Sequence, residues 1–165
     1  RGFESRLVGR TGESLSSGED YELCKALKIA GWKVIFSPGL KLKHFITRPR
    51  LNWEYLKKLN RGISKSIIWF LAYEYRIAKL RNPRRSATEI WFSWFYLLMK
   101  KTMKGGWLKT KMTIWPKHKA EGSPAIIEYE RTMIVIGDLV KKRKEFRQLK
   151  REIGQASWNI INHQK

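Results

Sequence analysis

The sequence predicts a mostly helical chain with a small β component, and three observations carry that expectation. From residue 51 onward, apolar residues recur at three- and four-residue spacing over most of the chain. Before it, two short stretches, 34–36 and 40–44, are β-prone or alternate apolar with polar. Glycine, proline and asparagine cluster at the ends of these stretches, where they stop structure. At 165 residues the chain can bury one core of ordinary size.

Residues 1–17 are polar, contain Gly2, Gly9 and Gly12, and show no period, so they are expected to form a loop. A helix is predicted over 19–30. Ser17 and Asp20 have capping spacing, Glu19 and Glu22 add negative charge near the positive helix end, and Gly31 supplies the left-handed stop. Leu23, Leu27 and Ala30 are expected on its buried face beside Cys24, with Lys25 and Lys28 off that face.

Val34-Ile35-Phe36 reads as a short strand ended by the turn Ser37-Pro38-Gly39. Leu40, Leu42 and His44 alternate with Lys41 and Lys43, so a second strand would turn His44 inward with the leucines. Arg48-Pro49-Arg50 breaks the pattern and sets a boundary, giving segments 1–48 and 49–165. Beyond it, Trp53, Leu56, Leu59 and Ile63 mark one helix with Asn52 as its cap, and a second runs from Ile67 to Leu80, ended by Asn82-Pro83. Ser86 and Glu89 have capping-box spacing, and the most apolar helix follows from Ile90 to Met103, stopped at Gly105-Gly106. Residues 107–122 are basic, contain Pro116, and are expected to be irregular. Ser123-Pro124 starts another helix with the stripe Ile126, Tyr129, Met133, Ile136, Val140. Arg143 to Arg151 reads as a solvated basic stretch, and the tail after Gly154 as frayed.

Thirty-five Lys and Arg oppose 14 Asp and Glu, a net charge of +21 that calls for a polyanionic partner. Eight Trp, six Tyr and seven Phe accompany that charge. A nucleic-acid arm is usually poor in large apolar groups, whereas aromatic and basic residues together suit an anionic membrane surface. One cysteine excludes an intrachain disulfide and fits a reducing compartment. No run approaches the ~18 apolar residues of a spanning helix. The opening Arg1-Gly2-Phe3-Glu4 is neither signal peptide nor initiator methionine, so the chain is expected to be a piece of a longer polypeptide.

Two places could carry chemistry. Glu19 and Asp20 at a helix start either complement the helix dipole or keep one carboxylate ionised as a general base. His44 is either a hydrogen-bonded core residue or a metal ligand, which would need carboxylate partners, and Glu19 and Asp20 are the acids nearest in sequence. Cys24 is expected to pack rather than react. Zinc spacings, glycine-rich phosphate loops and nucleophile elbows are absent from the sequence.

The order of parts adds a further reading. Gly9-Arg10-Thr11-Gly12, Ser17-Gly18-Glu19-Asp20-Tyr21-Glu22-Leu23, Ala30-Gly31-Trp32-Lys33-Val34, Pro38-Gly39-Leu40 and Lys43-His44-Phe45 follow one another as in family-2 glycosyltransferases of the GT-A fold. Arg50-Leu51-Asn52-Trp53-Glu54-Tyr55-Leu56 with Arg61-Gly62 also resembles bacterial members, so the likeness spans residues 9–62. It implies that segment 1–48 is the C-terminal end of a GT-A α/β core, one helix and one or two short strands, followed by a helical extension over 49–165. It implies that Asp20 is the base deprotonating an acceptor hydroxyl in an inverting transfer, with Glu19 supporting acceptor contact. His44 would match the histidine that binds a divalent metal, Mg or Mn, or faces the diphosphate of a nucleotide-sugar donor. The family's upstream nucleotide-binding half and its Asp-x-Asp motif do not occur in these 165 residues. The full-length parent is therefore expected to be the active transferase and this piece inactive alone.

In the extension, aromatic residues including Trp69, Trp91 and Trp94 stand near Lys100, Lys101 and Lys104. They either pack together or seat the protein on anionic lipid. Seating would suit an enzyme at the cytoplasmic, inner face of the membrane acting on a glycan or lipid-linked acceptor of the cell envelope. The alternative function is a non-catalytic basic helical module on an anionic membrane or nucleic acid. Nucleic acid is disfavoured, because the apolar residues form helical stripes rather than a stacking platform.

Overall fold

A computed structural model describes residues 3, 5, 7, 18–82 and 87–156. It is mostly helical. The helices are α1 (Glu19–Ile29), α2 (Trp53–Arg81), α3 (Ala87–Trp91), α4 (Trp94–Ile114), α5 (Pro124–Lys141) and α6 (Arg143–Gln155), with short 3-10 turns at Arg48–Arg50 and Pro116–Lys119. The long α2 is the spine: α1, α5 and α6 all lie against it, and α4 lies along α5.

Several helix ends form as their residues dictate. Gly31 adopts φ +89°, and the Trp32 amide donates back to Leu27 O at 2.9 Å to close α1. Asn52 Oδ1 accepts the Tyr55 amide at 2.8 Å, and Ser123 Oγ accepts the Ala125 amide at 3.3 Å ahead of Pro124. The caps expected from Ser17 and Ser86 lie outside the described residues. Ser93, whose Oγ accepts the Tyr96 amide at 3.2 Å, starts α4 instead.

Four expectations are corrected. Among the described residues no strand forms: 32–47 carries no ladder hydrogen bonds, its Leu40 amide closing the expected turn on Ser37 O at 3.1 Å, and where residues 32–35 run beside α2 the helix has already used its own backbone groups. Residues 53–81 form one helix rather than two, since nothing in Ser64-Lys65-Ser66 breaks it and Ser64 Oγ donates back to Asn60 O. Gly105 does not end α4, which runs on to Ile114 through residues expected to be irregular. This glycine is buried where α4 meets α5, and a Cβ there would already touch Thr132, Met133 and Ile136 at 3.6–3.7 Å. Finally, the basic stretch 143–151 belongs to an amphipathic helix, α6, which buries Phe146, Leu149 and Ile153.

The core joins Ala26 and Ile29 of α1 to Ile68, Ala72, Tyr73 and Ile77 of α2, with Leu97, Val135, Leu139 and the three α6 residues completing it. Helix α1, on the near side of the expected boundary at residue 48, thus contributes to the same core as α2, α5 and α6. Two predicted faces are rotated. On α1 the buried residues are Glu22, Lys25, Ala26 and Ile29, while Leu23 is exposed and Leu27 half-buried. On α5 they are Thr132, Val135 and Leu139, while Met133 and Val140 are exposed.

Candidate functional site

The acidic turn at the start of α1 is held by unusually polar packing. Gly18 has φ +135°, and a Cβ there would meet the Phe70 ring at 2.6 Å, so backbone conformation and close approach both require glycine. Tyr21 packs edge-on against that same ring, centroids 4.7 Å apart. Below the turn, the fully buried Glu22 accepts from Tyr73 Oη at 2.8 Å, Ser5 Oγ at 2.8 Å and the Leu7 amide at 3.0 Å. Lys25, also buried, pairs with Glu74 of α2 and lies over the Tyr21 ring. Directional bonds therefore fix both the rotation and the height of α1 on α2.

On that base, Glu19 and Asp20 divide. Glu19 is half-buried and its Oε2 accepts the Gly18 amide at 3.0 Å. Asp20 is exposed in the first turn, its carboxylate open to a ligand. The third acid of the motif, Glu22, faces the opposite way, into the protein. Sequence reading assigned it only to the helix dipole; no local signal could have revealed a donor 51 residues away at Tyr73.

His44 is not brought to this turn by any described contact. It lies between α1 and α2, where every residue from 31 to 52 is exposed, so it does not point inward with Leu40 and Leu42, which are themselves 82% and 96% exposed. Among the described residues no group of three or more His, Cys, Asp and Glu could hold a metal ion. One exposed imidazole does not meet the multi-oxygen coordination that Mg or Mn prefers, so the donor set here does not fit a divalent cation. Cys24 is half-buried.

The extension separates its aromatic residues into two kinds. Trp69 and Trp94 are half-buried against the core, and Trp94 Nε1–H donates to Leu139 O at 2.5 Å. The Trp91 side chain lies outside the described residues. Exposed instead are Phe95, which belongs to the expected aromatic surface, and Met99, Met103, Trp107 and Ile114, which sequence reading did not single out. At 100° per residue they share one face of α4, bordered by Lys100, Lys104 and Lys111 on one side and Lys109 on the other. Lys100 is exposed, Lys104 pairs with Glu128, and Lys111 Nζ lies 5.2 Å from the Trp107 ring centre. Lys101 is half-buried beside α5; burial, and then the neighbouring Lys104 charge, hold its ammonium below the usual lysine range. No helix among the described residues is long and apolar enough to cross a membrane.

No family model, curated protein or solved structure matches this chain.

Proposed function

We propose that this chain is the acceptor end and helical extension of a GT-A family-2 glycosyltransferase, which transfers a sugar from a nucleotide-sugar donor to an acceptor hydroxyl. The observation that carries the reading is the exposed, non-helical segment after α1. Trp32, Ile35, Phe36, Leu40, Leu42 and Phe45 are each more than two-thirds exposed there, with their backbone unpaired by any described strand. Apolar, pairing-competent chain exposed over this length marks a contact site, and a sheet edge is the partner that this reading supplies. A donor-binding half built on a sheet is what the ordered motifs of residues 9–62 imply upstream.

In this reading, Asp20 takes the proton from the acceptor hydroxyl as that oxygen bonds to the anomeric carbon. The bond from that carbon to the diphosphate oxygen breaks on the opposite face, which inverts the centre. Glu19, tied to the Gly18 amide, steadies the turn that aims Asp20. The nucleotide-sugar and its divalent metal belong to the donor half in this reading, and among the described residues no group of three or more His, Cys, Asp and Glu could hold that metal.

The exposed stripe of α4 supports a peripheral position on the inner face of the membrane, where its apolar groups enter the lipid interface and the flanking lysines meet anionic headgroups. A lipid-linked or envelope glycan acceptor would be presented there.

The test begins with the coding DNA upstream of Arg1, read in frame. Alternating strands and helices with an Asp-x-Asp are expected. In the protein that DNA encodes, Asp20→Asn should lower transfer by about 10²–10⁴-fold with folding and vesicle binding intact. Full activity of that variant, or donor turnover by the present chain alone, would refute the assignment.

A further inference from the structure

Helix α6 carries two faces of opposite character. Phe146, Leu149 and Ile153 enter the core, while Arg143, Arg147, Lys150 and Arg151, at spacings of four, three and one, share another face. That second face is concave. Tyr75 of α2 joins Arg147, Lys150 and Arg151 around a cleft of about 420 Å³. A second cleft of about 400 Å³ shares Arg147 and Lys150 and is walled by Arg143, Phe92, Trp94 and Phe95.

Four cations of α6 converge on these two clefts. Lys25, Lys57, Arg61, Lys79, Lys104, Arg131 and Lys142 all have carboxylate partners. Among the described residues, Arg147 and Arg151 have none, and Arg143 only lies over the Trp94 ring at 4.3 Å. Lys150 is half-buried and held in place, its Nζ 3.6 Å from the Tyr75 ring centre and donating to Phe92 O at 3.5 Å. Glu89, the one acid lining the second cleft among the described residues, is already engaged by Lys79 at 2.5 Å and Tyr75 Oη at 2.5 Å.

We propose that this arginine-rich cleft binds the phosphate or pyrophosphate group of a phosphorylated lipid headgroup. Two guanidinium forks and a fixed ammonium match a dianion with several oxygens better than a single carboxylate. The aromatic wall of Phe92, Trp94 and Phe95 receives the less polar part of the ester. Phe95 also begins the exposed stripe of α4, so a headgroup can reach the cleft while its acyl chains stay in the bilayer. The inference does not depend on the transferase reading, because its test measures binding alone.

The full 165-residue chain is titrated calorimetrically with inorganic pyrophosphate. It is also sedimented with phosphatidylcholine vesicles containing either phosphatidic acid or phosphatidylserine, matched in surface charge. Arg147 and Arg151 are exposed, so the double variant Arg147→Gln/Arg151→Gln should fold; Lys100→Gln/Lys109→Gln removes the same charge elsewhere. The arginine variant should weaken pyrophosphate binding about 100-fold, about tenfold per charge-assisted contact, and abolish a preference for phosphatidic acid. The lysine variant should weaken binding to both vesicles and leave pyrophosphate binding unchanged. Pyrophosphate binding without a vesicle preference, lost in the arginine variant, keeps the phosphate chemistry and makes its source a soluble ester. Absence of pyrophosphate binding, or equal losses in both variants, overturns the site. Single-stranded nucleic acid bound more tightly than either vesicle through the same arginines would overturn the lipid assignment.

Discussion

Tyr73→Phe removes one oxygen from the core and tests whether a buried carboxylate organises the start of the chain. Tyr73 is 2% exposed and Glu22 fully buried, so the bond between them, 2.8 Å long, is shielded from water. Phenylalanine keeps the ring packing and deletes only the donor. A hydrogen bond to a charged group contributes about 1.5–3 kcal/mol, and its loss leaves Glu22 with less compensation for its burial. For a chain of this size, 1 kcal/mol moves the thermal midpoint by about 2–4 °C, so a fall of about 3–12 °C is expected. Thermal melts by circular dichroism measure it. Amide exchange gives a second readout, because the Leu7 N–H donates to the other oxygen of the same carboxylate and should exchange faster in the variant. Ser5→Ala is the control: its bond to Glu22 is only partly buried, and about 1 kcal/mol or less is expected. A midpoint shift below about 1 °C for Tyr73→Phe, or a larger effect from Ser5→Ala, would refute the view that Tyr73 carries the network.

Two further outcomes follow from the surface. Replacing Met103 and Trp107 by aspartate should lower sedimentation with anionic vesicles about tenfold or more without lowering the thermal midpoint, since both side chains stand exposed on α4; unchanged binding would move the membrane contact elsewhere. Partial burial pushes the Glu89 carboxyl up, but the bonds from Lys79 and Tyr75 outweigh it and leave it below its ordinary value. A carboxyl lowered in the folded state stabilises above its unfolded pKa and loses that contribution as pH falls through the folded one. Stability should therefore drop between about pH 5 and 3, by a small amount because the pair is partly exposed, and Glu89→Gln should flatten that part of a melt-versus-pH curve.

Which parts of this structure the sequence made legible follows from how local each signal is. Asn52, Ser123-Pro124 and Gly31 act within one helical turn, and each forms the cap its residue type dictates. The faces of α1 and α5 depend on partners far along the chain, and there the reading was rotated. Nothing near Glu22 or Lys25 announces Tyr73 or Glu74, so two charged residues seemed bound for solvent. Only Phe146, Leu149 and Ile153 anchor α6, and the surrounding arginines and lysines concealed so sparse a stripe. Gly105 could stop a helix or sit on a buried helix face, and only the position of α5 decides between them. At the candidate site, an exposed Asp20 in the first turn of α1 is common to the helix-dipole reading and the base reading, whereas the inward turn of His44 required a strand pairing that the described residues do not supply.

The two sides of α1 show how an acidic turn can be positioned independently of what covers the segment after it. Apolar packing is tolerant of small rotations, because one methyl group replaces another at little cost; hydrogen bonds and ion pairs are not. Helix α1 meets α2 through both kinds: Ala26 and Ile29 pack in the core, while Glu22 with Tyr73 and Lys25 with Glu74 add the intolerant kind. Its other apolar surface, including Leu23 at 44% exposed and Tyr21 at 51%, is left uncovered together with the apolar chain from Trp32 to Phe45. A neighbouring domain could bind that apolar surface, shift slightly during donor entry and release, and leave Asp20 fixed relative to α2. On the proposed transferase reading, the helical extension is then the fixed reference for the base, and the donor half is the part free to move against it.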